Sequence, residues 1–362
     1  MKIRVLVVDD SAFMRKLISD FLNEDRRIEV VGVAKNGNEA LEKVQQLNPD
    51  VITLDIEMPV MDGLTALSKL MRTNPKPVVM LSSSTAEEAD ATFVAMQRGA
   101  IDFVAKPSGA ISLDLYKVKE EVIEKVVSAS KANIRQMVRQ SSNVQSIKPS
   151  INVRASQKEQ VEKKKDSKTL LHQIVCIGTS TGGPQALQEV ITKFPKNLNA
   201  PVLVVQHMPP GFTKSLADRL NHLSQIPVKE AEDGEMLESG VVYIAKGAYH
   251  LKVKKINQNV KIVLDQSPLA NGHRPAVDPM FASVAEELRD FNKVAVVMTG
   301  MGSDGAKGLQ VLKNSGRLVA AIAESEKTSV VFGMPKAAIE TGDVTEVVPL
   351  EKIAETISKY IR

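Results

Sequence analysis

The chain of 362 residues has one cysteine, no tryptophan and an aromatic content of only 4%. With a single cysteine, Cys176, no disulfide can form within the chain, which suits a reducing compartment. Cys176 lies inside an apolar run and is expected to pack in the core rather than react. Scarce aromatics remove the stacking surfaces that nucleic-acid binders use, so no nucleic-acid role is expected. No apolar run approaches the roughly 20 residues of a bilayer span. The opening MKIRVLVVDD carries no long apolar signal region. A cytoplasmic protein without membrane insertion is therefore expected. A large excess of charge of one sign is lacking too. The net charge is +4, and residues 139–168 alone hold eight basic residues against three acids. The basicity belongs to one polar segment, not to a folded face.

What is present is globular: 43% hydrophobic and 25% charged residues, over a length that suits two domains. Residues 3–8 read as a buried strand with Asp9 and Asp10 at its C-terminal end. Ser11 can cap the next helix, whose apolar face is Phe13, Leu17, Ile18, Phe21 and Leu22. Strands then follow near 29–34, 51–54, 78–81 and 102–105, with helices near 39–47, 62–71, 86–98 and 115–138. The alternation βαβαβαβαβα predicts a doubly wound parallel sheet. In such a sheet, ligands gather beyond the carboxyl ends of the strands. Those ends carry Asp9, Asp10, Asp55, Ser82 and Lys106. Three carboxylates brought together call for a cation, and oxygen ligands in a half-open site suit Mg²⁺. A carboxylate beside Mg²⁺ can take a phosphoryl group, with Ser82 and Lys106 holding its oxygens.

Residues 1–125 resemble a response-regulator receiver domain of two-component signalling, flavodoxin-like in fold. The resemblance rests on Asp9-Asp10, Asp55 within TLDIEMPVMDG, Ser82 and Lys106-Pro107. It implies that Asp55 accepts phosphate from a histidine kinase. It implies Mg²⁺ held by Asp10, Asp55 and the Glu57 backbone carbonyl, with Asp9 in the outer shell. Ser82, Phe103 and Lys106 fall at the family's switch positions, and the Lys106–Pro107 bond is expected to be cis.

Residues 126–168 are expected to be a helix extension and a flexible linker, where serine, glutamine and basic residues replace hydrophobic periodicity. From 169 to 362 an α/β pattern resumes. A β-branched run, Ile174 to Ile177, meets Gly178-Thr179-Ser180-Thr181-Gly182-Gly183, and Pro184 opens a helix. A strand, a glycine turn and a helix are the setting in which the serine of G-x-S-x-G becomes an exposed nucleophile. Strand 202–206 ends on His207. Strand 294–298 runs into Thr299-Gly-Met-Gly-Ser-Asp304-Gly. Further strands are expected at 241–245, 249–254, 261–264, 318–323 and 344–348. Helices are expected at 184–194, 213–223, 278–290, 335–341 and 351–360.

Ser180, His207 and Asp304 each lie just past a different strand end, so a mostly parallel sheet brings them together. Serine is a weak nucleophile and needs a neighbouring base, His207, which Asp304 would orient. The chain order Ser, His, Asp is not that of the α/β-hydrolases. The turn is not G-x-G-x-x-G either, so a dinucleotide site is disfavoured.

The order and the motifs IGTSTGGP, VVQHMPPGFT, NGHRPAVDPMF and MTGMGSDGAKGL resemble the catalytic domain of the chemotaxis methylesterase family, the CheB type. The resemblance implies a nucleophile at Ser180, a base at His207 and an orienting acid at Asp304. The Thr181 and Met301 backbone amides would form the oxyanion site. It implies a phosphorylation-regulated hydrolase that demethylates glutamate methyl esters, and deamidates glutamines, on methyl-accepting chemoreceptors. No cofactor is expected for hydrolysis. The expected protein is a monomer, recruited to membrane receptor arrays. Arg274 is a candidate contact for the acidic substrate helix or the active-site rim, with a surface salt bridge as the alternative. A signalling adaptor with a catalytically silent second domain, and a hydrolase of small esters or amides, are the competing readings.

Overall fold

The computed structural model describes residues 1–83, 85–106, 112–132, 134 and 171–361. Most of the expected linker, and Pro107 with its expected cis bond, fall outside the described residues.

The first sheet has the order β2-β1-β3-β4-β5, all parallel, from β1 (Ile3–Val8), β2 (Ile28–Ala34), β3 (Val51–Asp55), β4 (Val78–Ser82) and β5 (Asp102–Ala105). Strands β3 and β4 are buried along their whole length, as helices on both faces of a parallel sheet require. Helices α1 (Ala12–Glu24), α2 (Gly37–Leu47), α3 (Gly63–Thr73) and α4 (Ala86–Gln97) each begin on a side chain that accepts a first-turn amide. These caps are Ser11, Asn36, Asp62 and Thr85. Helix α5 (Ser112–Ser130) closes the domain. Phe13 does not join the apolar face expected of α1: it is 65% exposed, while Ile18 and Leu22 carry the packing.

Register explains why the polar residues meet. Val8 lies opposite Leu54, Asp55 opposite Leu81, and Ser82 opposite Ala105. The next residues along, Asp9 and Lys106, therefore share one sheet edge with Asp55 and Ser82.

The second sheet has the order β14-β13-β12-β6-β7-β9-β8 and is parallel throughout. Its strands are β6 (Gln173–Thr179), β7 (Val202–Gln206), β8 (Val228–Glu230), β9 (Val242–Ile244), β12 (Asn292–Val297), β13 (Leu318–Glu324) and β14 (Glu346–Val348). Strands β10 (His250–Ile256) and β11 (Asn259–Asp265) form a separate antiparallel hairpin. Helices α6 (Gly183–Ile191), α7 (Phe212–Leu223), α8 (Val277–Glu287), α9 (Ala306–Asn314), α10 (Met334–Glu340) and α11 (Leu350–Tyr360) cover the sheet. Cys176 is buried in β6, and burial pushes its thiol up to about 12, which leaves it inert.

Two elements, β8 and α9, go beyond the sequence reading. Strand β8 has three residues, too few to show a period. Helix α9 follows a glycine-rich loop and contains Gly308, which weakens its helical signal. That glycine has a packing reason: a Cβ there would lie 2.8 Å from the Phe281 Cβ of α8.

The two domains touch along several elements. The Phe103 ring at β5 packs 4.4 Å, centroid to centroid, from Phe212 at the start of α7. Gln97 donates to Gln188 at 3.2 Å, and Gln185 donates to the Met96 carbonyl. One apolar cluster includes Val122 and Val126 of α5 together with Val330, Val331 and Met301.

Candidate active site and phosphoacceptor site

The sheet order places β12, β6 and β7 side by side, so their C-terminal ends bring the Asp304 loop, Ser180 and His207 to one edge. His207 Nε2 lies 2.8 Å from Asp304 Oδ2. Asp304 is held from its other sides as well. Oδ2 accepts the Val277 amide, and Oδ1 accepts the Asp278 amide and the Asn271 side chain. Asp278 in turn accepts the Gly305 and Gly308 amides, which fixes the turn that carries Asp304. Burial alone would raise the Asp304 pKa. The His207 hydrogen bond and charge, with the two amides, outweigh it and hold the carboxyl at about 2.

The His207 imidazole is buried, and burial lowers its pKa below 6.5 against the pull of Asp304. Because Asp304 takes Nε2, Nδ1 is the nitrogen left for a reacting proton. Nδ1 is buried and has no hydrogen-bond partner.

Ser180 is 5% exposed, and its amide donates to the Thr299 carbonyl at 3.0 Å. Gln206 Nε2 donates to the carbonyls of both Ser180 and His207, stitching the two turns together. No hydrogen bond joins the Ser180 hydroxyl to His207 among the described residues. Apo sites commonly tighten only with substrate bound. Gly182 adopts φ +79°, a left-handed turn that suits glycine, and Gly183 follows where a Cβ would lie 1.9 Å from Gln206 Oε1. The amides of Thr181 and Met301 donate to no protein acceptor among the described residues.

His273 was not singled out by sequence reasoning, although it lies within NGHRPAVDPMF. Its ring stacks on His207, with centroids 4.0 Å apart at 19°. On its other side, Nε2 lies 3.7 Å from Glu124 of α5. Helix α5 of the first domain thus touches the ring that stacks on the candidate base. The His273 ring beside it is the main reason that Glu124 titrates below the usual carboxylate range. Two further histidines stand apart: His250 Nε2 pairs with the Pro268 carbonyl and His222 Nδ1 with the Asp218 carbonyl. Among the described residues Arg274 forms no salt bridge. It donates to the Gln266 and Ser267 carbonyls and so ties down its own loop.

At the other sheet edge, acceptor atoms of Asp9, Asp10 and Asp55 all lie within 4.8 Å of one another. Lys106 Nζ bridges Asp9 at 2.9 Å and Asp55 at 2.7 Å. Burial, and then repulsion from Asp9 and Asp10, push Asp55 up to about 6 in spite of Lys106. Three crowded hard oxygen donors fit a divalent cation such as Mg²⁺. Ser82 is buried and accepts from Thr92 at 2.9 Å. Phe103 points into the domain interface, and Glu57 is exposed in the loop after β3.

The folds and the two strand edges define a class: response regulators whose receiver is joined to an α/β output domain. Residues 5–115 match the response regulator receiver domain, and residues 175–357 match the CheB methylesterase family. The chain belongs to the CheB methylesterase family. It is 56% identical, over 99% of both chains, to a protein-glutamate methylesterase/protein-glutamine glutaminase of Geobacillus kaustophilus. It is 54% identical, again over 99% of both chains, to the protein of the same name from Bacillus subtilis. The crystal structure of the Thermotoga maritima CheB methylesterase catalytic domain is 49% identical. It covers 52% of this chain and 99% of its own, with a TM-score of 0.51.

Proposed function

We propose that the chain is a protein-glutamate methylesterase and protein-glutamine glutaminase that acts on chemoreceptors and is switched by phosphorylation of Asp55. The observation that carries the chemistry is the buried His207–Asp304 pair, 2.8 Å long, one strand away from Ser180. The domains are assigned as receiver 1–125, helix extension and linker 126–168, and catalytic domain 169–362.

In this reading His207 Nδ1 takes the Ser180 proton as Oγ attacks the ester carbonyl of a methylated glutamate. The Thr181 and Met301 amides receive the developing oxyanion. His207, now protonated and stabilised by ionised Asp304, passes its proton to departing methanol. Water then attacks the acyl-enzyme, with His207 again as base. A receptor glutamine follows the same route and releases ammonia. In the receiver, Asp55 accepts the phosphoryl group and Lys106 and Ser82 hold its oxygens. Mg²⁺ held by Asp10, Asp55 and the Glu57 carbonyl, with Asp9 outside, would neutralise phosphoryl charge.

The test is methanol release from methylated chemoreceptor membranes, run beside small methyl esters at equal ester concentration. Release from the receptor protein alone is expected. Hydrolysis confined to small esters would favour a general esterase, and no hydrolysis of either would favour a silent adaptor.

The regulatory part rests on α5. Glu124 sits against His273, and the α5 apolar cluster reaches Met301, so the unphosphorylated receiver stands over the catalytic edge. Phosphate on Asp55 would loosen this contact. Glu124→Gln should raise phosphodonor-independent methanol release by up to about fivefold, the scale of one partly exposed polar contact. An unchanged basal rate would show that this pair does not hold the closed state.

A further inference from the structure

Glu324 ends β13, is fully buried, and takes no part in the hydrolysis described above. Its Oε2 accepts the Thr299 amide at 2.8 Å, and its Oε1 has no partner. Thr299 is where the catalytic parts meet. Its carbonyl accepts the Ser180 amide at 3.0 Å and the Thr179 hydroxyl at 3.0 Å. Its hydroxyl donates to the Thr181 carbonyl at 2.8 Å and accepts the Val331 amide at 3.0 Å. Glu324 thereby holds the residue that joins the nucleophile turn to the oxyanion loop.

The surroundings also weigh against the charged form. A carboxylate charge with one unpartnered oxygen and no solvent contact is costly. The groups facing it are the Thr299 amide, the Thr328 hydroxyl and the Glu351 carboxylate at the start of α11, which adds repulsion. A negative charge behind this loop would also oppose the oxyanion that forms at the Thr181 and Met301 amides.

We propose that Glu324 is a positioning residue for the ester hydrolysis and that it serves in its neutral form. The proposal rests on the serine-hydrolase reading given above. Burial pushes Glu324 up to about 7, so its charge appears within the working range as pH rises. Above that value kcat should fall, while KM, set by the receptor surface, should hold.

The experiment uses the full chain with saturating phosphodonor and methylated receptor membranes between about pH 6 and 9, a span that brackets the titration. Wild type, Glu324→Gln and Glu324→Leu are compared. Glutamine keeps the acceptor for Thr299 and cannot ionise. Dividing its kcat by that of wild type at each pH cancels the titrations of His207 and the receiver. The ratio should be near one at the acid end and rise to roughly tenfold at the alkaline end. Leucine removes the acceptor and should lower kcat about tenfold at every pH with KM unchanged. A flat Gln-to-wild-type ratio overturns the proposal, as does wild-type kcat in the leucine variant. If the leucine variant does not fold, the glutamine ratio decides alone. Failure of the hydrolase reading itself would appear elsewhere, as methanol release retained by Ser180→Ala.

Discussion

Ser180→Ala should abolish methanol release from methylated receptors, with a loss of at least about 10⁴-fold in kcat. Alanine is smaller than serine and leaves the Ser180 amide bond to Thr299 intact, so the fold should survive. What is lost is the hydroxyl assigned to form the acyl-enzyme. Asp304→Asn is the companion experiment. Asp304 accepts from His207 Nε2 and from the amides of Val277 and Asp278. An asparagine that turns its nitrogen toward His207 would favour the tautomer with the proton on Nδ1, the atom that must receive the serine proton. A loss of roughly 10⁴-fold in kcat is expected, with little change in KM. Both are read as methanol released per enzyme per second. Activity within about tenfold of wild type in either variant would remove that residue from the mechanism.

Asp55→Asn should remove the whole phosphodonor-dependent increment of methylesterase activity. Asp55 lies where three carboxylates crowd, and burial with that crowding raises its pKa to about 6. Lys106 relieves part of the repulsion through contacts to both Asp9 and Asp55. An amide at position 55 cannot form the acyl phosphate, whatever it does to the cation. Wild type and variant are compared with and without a small-molecule phosphodonor. Stimulation of the variant equal to that of wild type would place the phosphoacceptor elsewhere.

Much of this was legible in the sequence because the fold is parallel α/β. Each buried strand announces itself as an apolar run, and its last residues must lie at the ligand-binding edge. That rule singled out Asp9, Asp10, Asp55, Ser82, Lys106 and His207, and the glycine turn added Ser180. Applied once more, it would have found Glu324, the acid that ends LVAAIAE. The rest depended on contacts between distant segments. His273 sits in a loop without periodicity, and only the fold stacks it on His207. Glu124 reads as one of several exposed acids on α5 until the two domains are docked. Arg274 resembles a substrate contact by charge, and only the fold shows that its Nη1 is given to two carbonyls of its own loop. Phe13 has the spacing of a core residue, but it lies in the first turn of α1 and stays in solvent.

The central claim is that one chain joins a phosphate switch to hydrolysis of protein glutamyl esters. Its most direct measurement is a methanol-release time course on methylated receptor membranes, with phosphodonor added to the full chain partway through. Slow release that accelerates on addition, in wild type and not in Asp55→Asn, is the expected result. Release at one unchanged rate, or no methanol from the receptor protein at all, would contradict the account.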